Sequence, residues 1–446
     1  MDGLNTEAIG PTPLGYLLLV CMVFLTWFLP RRAALIPLLL TTCYIPLGQT
    51  FVIAGAHFPF FRVLLLVGWF RVLSRKETQG FIFTKMDKVF VWWLAVTLII
   101  GSFTQPSEFF SRFISCCGQV YTAAGTFFLV RCWLRSVDEL VSLLRSLAWM
   151  IVPLTFAMVI ENITDRNLFF VFGGVAEYAG IRDGAVRAQG AFRQPILAGT
   201  YGATLFPLFI GVFFQKDRSH WQVVLGLACS VTIALVAASS GAMLALLGAI
   251  VGLGLWRFRY SMRLIRRGSI LIMILLALTM KAPVWYVFAR LSEVVGGTGW
   301  YRSYLIEQAV NHFDQWCFTG SLYTANWAPA GETPPGNPNN TDIINQFVLE
   351  GLQGGLLKVA LFVFLIVIGF KNVGRFTRIQ VDLPFSYRVI VWSLGVCLFS
   401  HCLSFCSVTY FDQIIVMWYF LLAALAMLQI EYSTIQQVPT VDGVPA

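Results

Sequence analysis

Charge is scarce in this sequence. Only 12% of the 446 residues are Asp, Glu, Lys or Arg, while 58% are hydrophobic and the mean hydropathy is +0.75. A soluble domain carries about 25% charged residues, so a water-facing surface is missing and a soluble globular fold is excluded. Histidine is rarer still. The four (His57, His220, His312 and His401) include no pair at ligand spacing, so no metal site is expected. Neither a phosphate-cradling Gly-Lys-Ser/Thr loop nor a dinucleotide fingerprint occurs, which argues against nucleotide-driven chemistry and a cofactor. Most of the ten cysteines, such as Cys43, Cys132 and Cys229, sit in apolar runs as small apolar residues, with no disulfide framework and no zinc pattern. No basic stretch precedes Pro13, so a cleavable signal peptide is not expected.

Long apolar runs are what the sequence has. At 1.5 Å rise per residue, about 20 apolar residues cross the hydrocarbon layer as a helix. Continuously apolar runs fall at 14–29, 33–50, 59–74, 88–104, 113–131, 139–160, 195–214, 221–238, 241–256, 268–286, 343–370, 387–405 and 411–430. A membrane β-barrel would instead alternate apolar and polar residues. The expected fold is therefore all-α: one polytopic transmembrane bundle over 1–446, with 12 or 13 spans. Gly248-x-x-x-Gly252 fits close packing of two helices.

The basic residues set an orientation. Alternate links carry Arg31 and Arg32; Arg71, Arg75, Lys76, Lys85 and Lys88; Arg131 and Arg135; Lys216 and Arg218; Arg257 to Arg267; and Lys371 to Arg388. Those links hold 20 of the 31 basic residues, so they face the cytoplasm. This pattern also assigns the net charge of +9 to membrane lipid rather than nucleic acid. The intervening links face outward, and two are long: 161–194 and 287–342. Loops of that length are commonly functional, and Trp300, Trp316 and Trp327 suggest short helices packed at the membrane surface.

Arginines on the outer face run against the inward bias. Arg182, Arg187 and Arg193 crowd the end of the first long loop, while Arg290 and Arg302 lie in the second. Guanidinium forks bind phosphate oxygens in pairs, and Gly184 and Gly190 let backbone approach a ligand. The plainer alternative is solvated arginines paired with Glu177, Asp183 or Glu293. Among the outer carboxylates (Glu293, Glu307, Asp314, Glu332 and Asp342), Asp342 precedes the polar pair Asn345-Gln346 inside an apolar stretch. It is a candidate general base, or else the cap of the next helix.

The order of these pieces resembles the O-antigen ligase and O-antigen polymerase superfamily. Three stretches carry the likeness: Arg187-Ala-Gln-Gly-Ala-Phe-Arg-Gln-Pro195; Tyr301-Arg302-Ser303 through Glu307, Ala309 and Phe313 to Gly320; and Asp342-Ile-Ile-Asn345-Gln-Phe-Val-Leu-Glu350-Gly-Leu-Gln-Gly354-Gly355. Ligases of the superfamily commonly carry His-Asn where this chain has Thr341-Asp342, and Ser-Arg-Gly where it has Ser239-Ser240-Gly241. The first departure favours an exopolysaccharide or O-antigen polymerase over a lipid A-core ligase. The resemblance implies an undecaprenyl-pyrophosphate-linked glycan donor, a glycan acceptor, a bacterial plasma membrane, and a flippase and chain-length regulator as partners. It implies Arg187 and Arg302 as the pyrophosphate clamp, Asp342 as base, and Arg182, Arg193, Arg290 and Asn345 as substrate contacts. A transporter or flippase is the competing reading; it expects charges deep in the spans and broken half-helices.

Overall fold

The computed structural model describes residues 12–46, 48–53, 56–182, 184–216, 220–287, 299–327, 341–379 and 383–437. It is mostly helical. Eight helical stretches among these residues are long and apolar enough to cross a membrane: Lys85–Phe103, Pro106–Trp133, Val137–Thr164, Pro195–Phe213, Ser240–Thr279, Gly355–Phe376, Phe385–Phe405 and Asp412–Gln437. Two shorter apolar helices, Pro13–Phe28 and His220–Val236, accompany them. The architecture is compatible with a multi-pass membrane protein.

The count falls below the expected 12 or 13 for local reasons. The run at 33–50 yields only Ile36–Tyr44, a helix of 9 residues that rises roughly 13 Å. Beyond it, Thr50–Ile53 and Ala56–Pro59 pair antiparallel. Phe60–Ser74 has 15 residues, with Arg62 and Arg71 inside it. The run at 241–256 and the part of the run at 268–286 up to Thr279 lie in one stretch, Ser240–Thr279, interrupted by a 3₁₀ turn at Leu255–Ser261. The run at 343–370 divides into Gln346–Leu352 and Gly355–Phe376. Gly355 enforces that break: its φ is +68°, and a Cβ there would strike the carbonyl of Phe318.

Asp412–Gln437 is the central pillar, with 83% of its most apolar window buried. Met262–Thr279 is its opposite, an apolar helix with no buried residue among those described. Small residues let neighbouring helices close in. Gly248 abuts Leu403 and Gly252 abuts Val396 of Phe385–Phe405, and Trp392 Nε1 donates to the Gly252 carbonyl at 3.1 Å.

The links contact one another at two ends of the bundle. At the basic end, Arg31 donates to the Trp133 carbonyl at 2.7 Å, and Arg131 meets Asp87 at 3.0 Å. There too Gln215 reaches the Ser386 carbonyl at 2.9 Å. At the other end, Gln413 donates to the carbonyls of Ile45 at 3.4 Å and Ala191 at 2.7 Å. Leu356 N donates to the Cys317 carbonyl at 2.8 Å on that same side.

Both long links have internal structure at this second end. The first holds a 3₁₀ turn, Leu168–Phe172, and a β-hairpin of Gly180–Arg182 with Ala185–Arg187, where strands rather than helices carry Arg182 and Arg187. The second holds the helices Gly299–Asn311 and Phe313–Trp316. Trp327 is buried there and stacks on His312, while Trp300 is exposed and stacks on Tyr304.

Candidate functional site

The first arginine segment is held from beneath. Glu161, wholly buried near the end of Val137–Thr164, accepts the backbone N–H groups of Gln189 at 3.0 Å and Gly190 at 2.7 Å. Asn162 Nδ2 donates to the Val186 carbonyl at 3.0 Å, and Asn167 Nδ2 to the Gly190 carbonyl at 2.8 Å. Gly190 has φ +58° and lies against Met158, so a Cβ would meet both a strained backbone and an occupied space. Four contacts thus fix the strand that carries Arg187 and the turn that follows it. Arg187 pairs with Gly180 in the hairpin register and is half-buried.

The same segment docks on the turn between His220–Val236 and the helix that begins at Ser240. Ala188 N donates to the Val236 carbonyl at 3.1 Å. In that turn Ala238 has φ +43°, a left-handed conformation that costs a residue with a Cβ about 1–3 kcal/mol. Arg302, on the first turn of Gly299–Asn311, reaches the turn from the second long link: Nη2 donates to Ser240 Oγ at 3.2 Å. The segment that follows Arg187 and the Arg302 side chain therefore both contact the residues that flank one short turn.

Arg302 is 7% exposed. Burial holds its guanidinium below the ordinary arginine value, and the charge of Arg182 pushes in the same direction. It remains a cation at neutral pH. Arg182, exposed on its own strand, lies within electrostatic reach of this nearly buried guanidinium. Cys406, in the link before Asp412–Gln437, is also within reach of Arg302. Arg193 is exposed and interacts electrostatically with Asp412, whose φ of +53° is a second left-handed non-glycine conformation beside the site.

Tyr301 Oη donates to the Asp342 carbonyl at 3.2 Å and brings the third stretch to the second. Asp342 itself is exposed. The surrounding protein still removes enough water to raise its carboxyl above the usual aspartate value, although the open face limits the effect. It does not cap the next helix. Asn345 does so, accepting from Phe347 N at 3.0 Å and Val348 N at 3.2 Å. Glu307 accepts from Tyr286 Oη at 2.5 Å, and Ser303 Oγ donates to the Trp285 carbonyl at 3.1 Å, pinning the helix of Arg302.

Comparison with protein-family models and with curated proteins gives no match.

The structure thus gathers Arg182, Arg187, Arg193, Arg302, Asp342 and Asn345 at one end of the bundle. Arg290, with Glu293 and Glu332, lies outside the described residues. Sequence reasoning missed Ser240 and Glu161. In the sequence Ser240 stands out only as a departure from a motif, and Glu161 reads as the polar end of an apolar run. What could have marked Glu161 is its place opposite a glycine-rich loop whose N–H groups need an acceptor.

Proposed function

We propose that this chain is a membrane glycosyltransferase that extends or transfers a glycan carried on undecaprenyl pyrophosphate, acting at the outer face of a bacterial plasma membrane. Polymerase activity is favoured over lipid A-core ligation. The observation that carries the reading is Arg302, nearly buried and bonded to Ser240 beside the turn where the Arg187 segment docks, with the charge of Arg182 within reach. Guanidinium forks bind phosphate oxygens in pairs, so arginines gathered there suit a pyrophosphate.

In the reaction, an acceptor hydroxyl attacks the anomeric carbon as the bond from that carbon to the pyrophosphate oxygen breaks. The electron pair leaves with the lipid pyrophosphate, and the hydroxyl proton passes to Asp342. Arg187, Arg302 and Arg182 stabilise the charge that builds on the leaving group. In a water-poor site such cations contribute several kcal/mol each. The donor already carries a good leaving group, so the scheme calls for no metal and no nucleotide. Arg193 and Asn345 flank the substrate path in this reading, with Arg290 as a further contact.

The competing transporter reading draws on the ion pair of Lys358 with Glu350, 3.4 Å apart and buried. That pair lies in the first turn of Gly355–Phe376 and the short helix before it, not at mid-span. The deciding experiment supplies purified protein with a lipid-linked oligosaccharide. Longer lipid-linked chains identify a polymerase, and transfer to a different acceptor identifies a ligase. Translocation of the intact donor without any glycosyl transfer would remove the enzyme assignment.

A further inference from the structure

A second cationic place lies at the same end of the bundle, between Lys85–Ile99, Phe109–Trp133 and Gly355–Phe376. Arg112 is half-buried on the first turn of Phe109–Trp133. Its Nε donates to Thr104 Oγ1 at 3.1 Å, but its Nη2 is covered and has no hydrogen-bond partner. A buried donor left unsatisfied costs about 1–3 kcal/mol. Lys358, 1% exposed, is an electrostatic neighbour of Arg112. Its own contacts are Gln353 Oε1 at 3.0 Å and the more distant Glu350 Oε2 at 3.4 Å. Glu350 is already shared, accepting from Trp93 Nε1 at 3.1 Å and Gln346 Nε2 at 2.8 Å. The electrostatic balance of these three groups is therefore positive.

Aromatic residues flank Arg112 in the chain. Phe103, Phe109 and Phe113 are exposed, with ring centroids 5.0 and 6.2 Å apart in sequence. Leu356 is exposed beside the start of the Lys358 helix. A cation with an unused donor, rimmed by exposed aromatic rings, matches an amphiphile with a phosphate head and a hydrocarbon tail. A soluble anion would leave the apolar rim without an occupant.

We propose that Arg112, backed by Lys358, forms a second phosphate-binding recess that holds a phosphate-bearing lipid. Under the glycosyltransferase reading, on which this meaning rests, the occupant is the lipid-linked acceptor. A polymerase keeps both of its substrates on lipid phosphates and needs two such sites, whereas a ligase whose acceptor is not on a polyprenyl carrier needs one. The helix Gln346–Leu352 follows Asp342 in the chain and carries Glu350, which pairs with Lys358.

Native mass spectrometry of the full chain in detergent tests this, with undecaprenyl phosphate and phosphatidylglycerol as separate probes. Wild type should retain two lipid phosphates. Arg112→Gln should retain one, with at least a tenfold weaker second binding step, and Arg112→Lys should fall between them. Preferential retention of undecaprenyl phosphate at the Arg112-dependent step identifies a carrier-lipid site, and preference for phosphatidylglycerol identifies a phospholipid site. Thermal melting guards against misfolding: Arg112→Gln without lipid should melt as wild type does, and should lose only part of the lipid-induced rise. Equal stoichiometry and affinity in wild type and Arg112→Gln would overturn the recess. Arg302→Ala separates the two ideas. If it binds both lipids while Arg112→Gln loses one, the recess stands and the pyrophosphate clamp falls; the reverse pattern removes the recess alone.

Discussion

Arg302 donates to the hydroxyl of Ser240 across 3.2 Å, and through this bond the second long link holds the turn on which the first one docks. The bond helps to aim a nearly buried guanidinium. Ser240→Ala should therefore preserve the cation but loosen its position. Loss of one such bond is worth about 0.5–1.5 kcal/mol, so glycan transfer should fall by a few-fold to tenfold. Initial rates on a lipid-linked oligosaccharide, normalised to protein in the membrane, check the effect. An unchanged rate would mean that Ser240 does not position Arg302.

Glu161 carries the first arginine segment through two backbone N–H groups. In Glu161→Ala both donors remain buried without an acceptor, at about 1–3 kcal/mol each. The melting temperature should drop, and transfer should drop further than stability explains, because the Arg187 strand is released. Glu161→Gln keeps one acceptor oxygen and should show a smaller loss of both. Melting in detergent and transfer rates at a temperature where both proteins are folded separate the two effects.

The far end of the bundle offers a stability control. Asp87 is fully buried, pairs with Arg131 at 3.0 Å and closes a capping box with Thr84. Removing one partner of a buried pair costs about 3–5 kcal/mol. Asp87→Ala should thus lower the melting temperature strongly. Removing the charge of Arg131 as well, in Asp87→Asn with Arg131→Met, should recover much of that loss. Fraction folded against temperature reads it, and any surviving Asp87→Ala protein should transfer glycan normally.

A pH dependence follows from Asp342. Its carboxyl is raised above the ordinary aspartate value, and a general base acts only when ionised. Transfer should rise with pH through that raised value and then level off. For stability the sign is opposite. The folded chain holds the Asp342 proton more tightly than the unfolded chain does, so the group's contribution is present below the ordinary value and is lost as pH rises through the raised one. Asp342→Asn should remove the acid limb of the rate profile without melting the next helix, because Asn345 supplies that cap. An acid limb that persists in Asp342→Asn would assign it to another group.

The bundle was legible in the sequence because lipid imposes a length and an apolarity that any span must meet. Contacts among basic links also gather at one end of the bundle, away from Arg187 and Arg302. The misses are local. Gly355 divides the run at 343–370 because the Phe318 carbonyl occupies the space of a side chain, a contact between segments 37 residues apart in the chain. The hairpin of Gly180 to Arg187 is three residues per strand, too short for alternation to register. Ser240 and Glu161 matter through what they touch rather than through any spacing. The cap at Asn345 instead of Asp342 turned on three residues of backbone that the apolar pattern does not resolve.

Single-turnover glycosyl transfer by Arg302→Ala, Arg302→Lys and Arg187→Ala in proteoliposomes tests the pyrophosphate clamp most directly. Each alanine variant should insert at wild-type abundance and transfer about 10²–10³-fold more slowly, the loss typical of one fixed donor to a developing anion. Lysine at 302 should recover little, because a point charge cannot reproduce the planar fork. Wild-type rates and wild-type glycan lengths in both alanine variants would contradict the account.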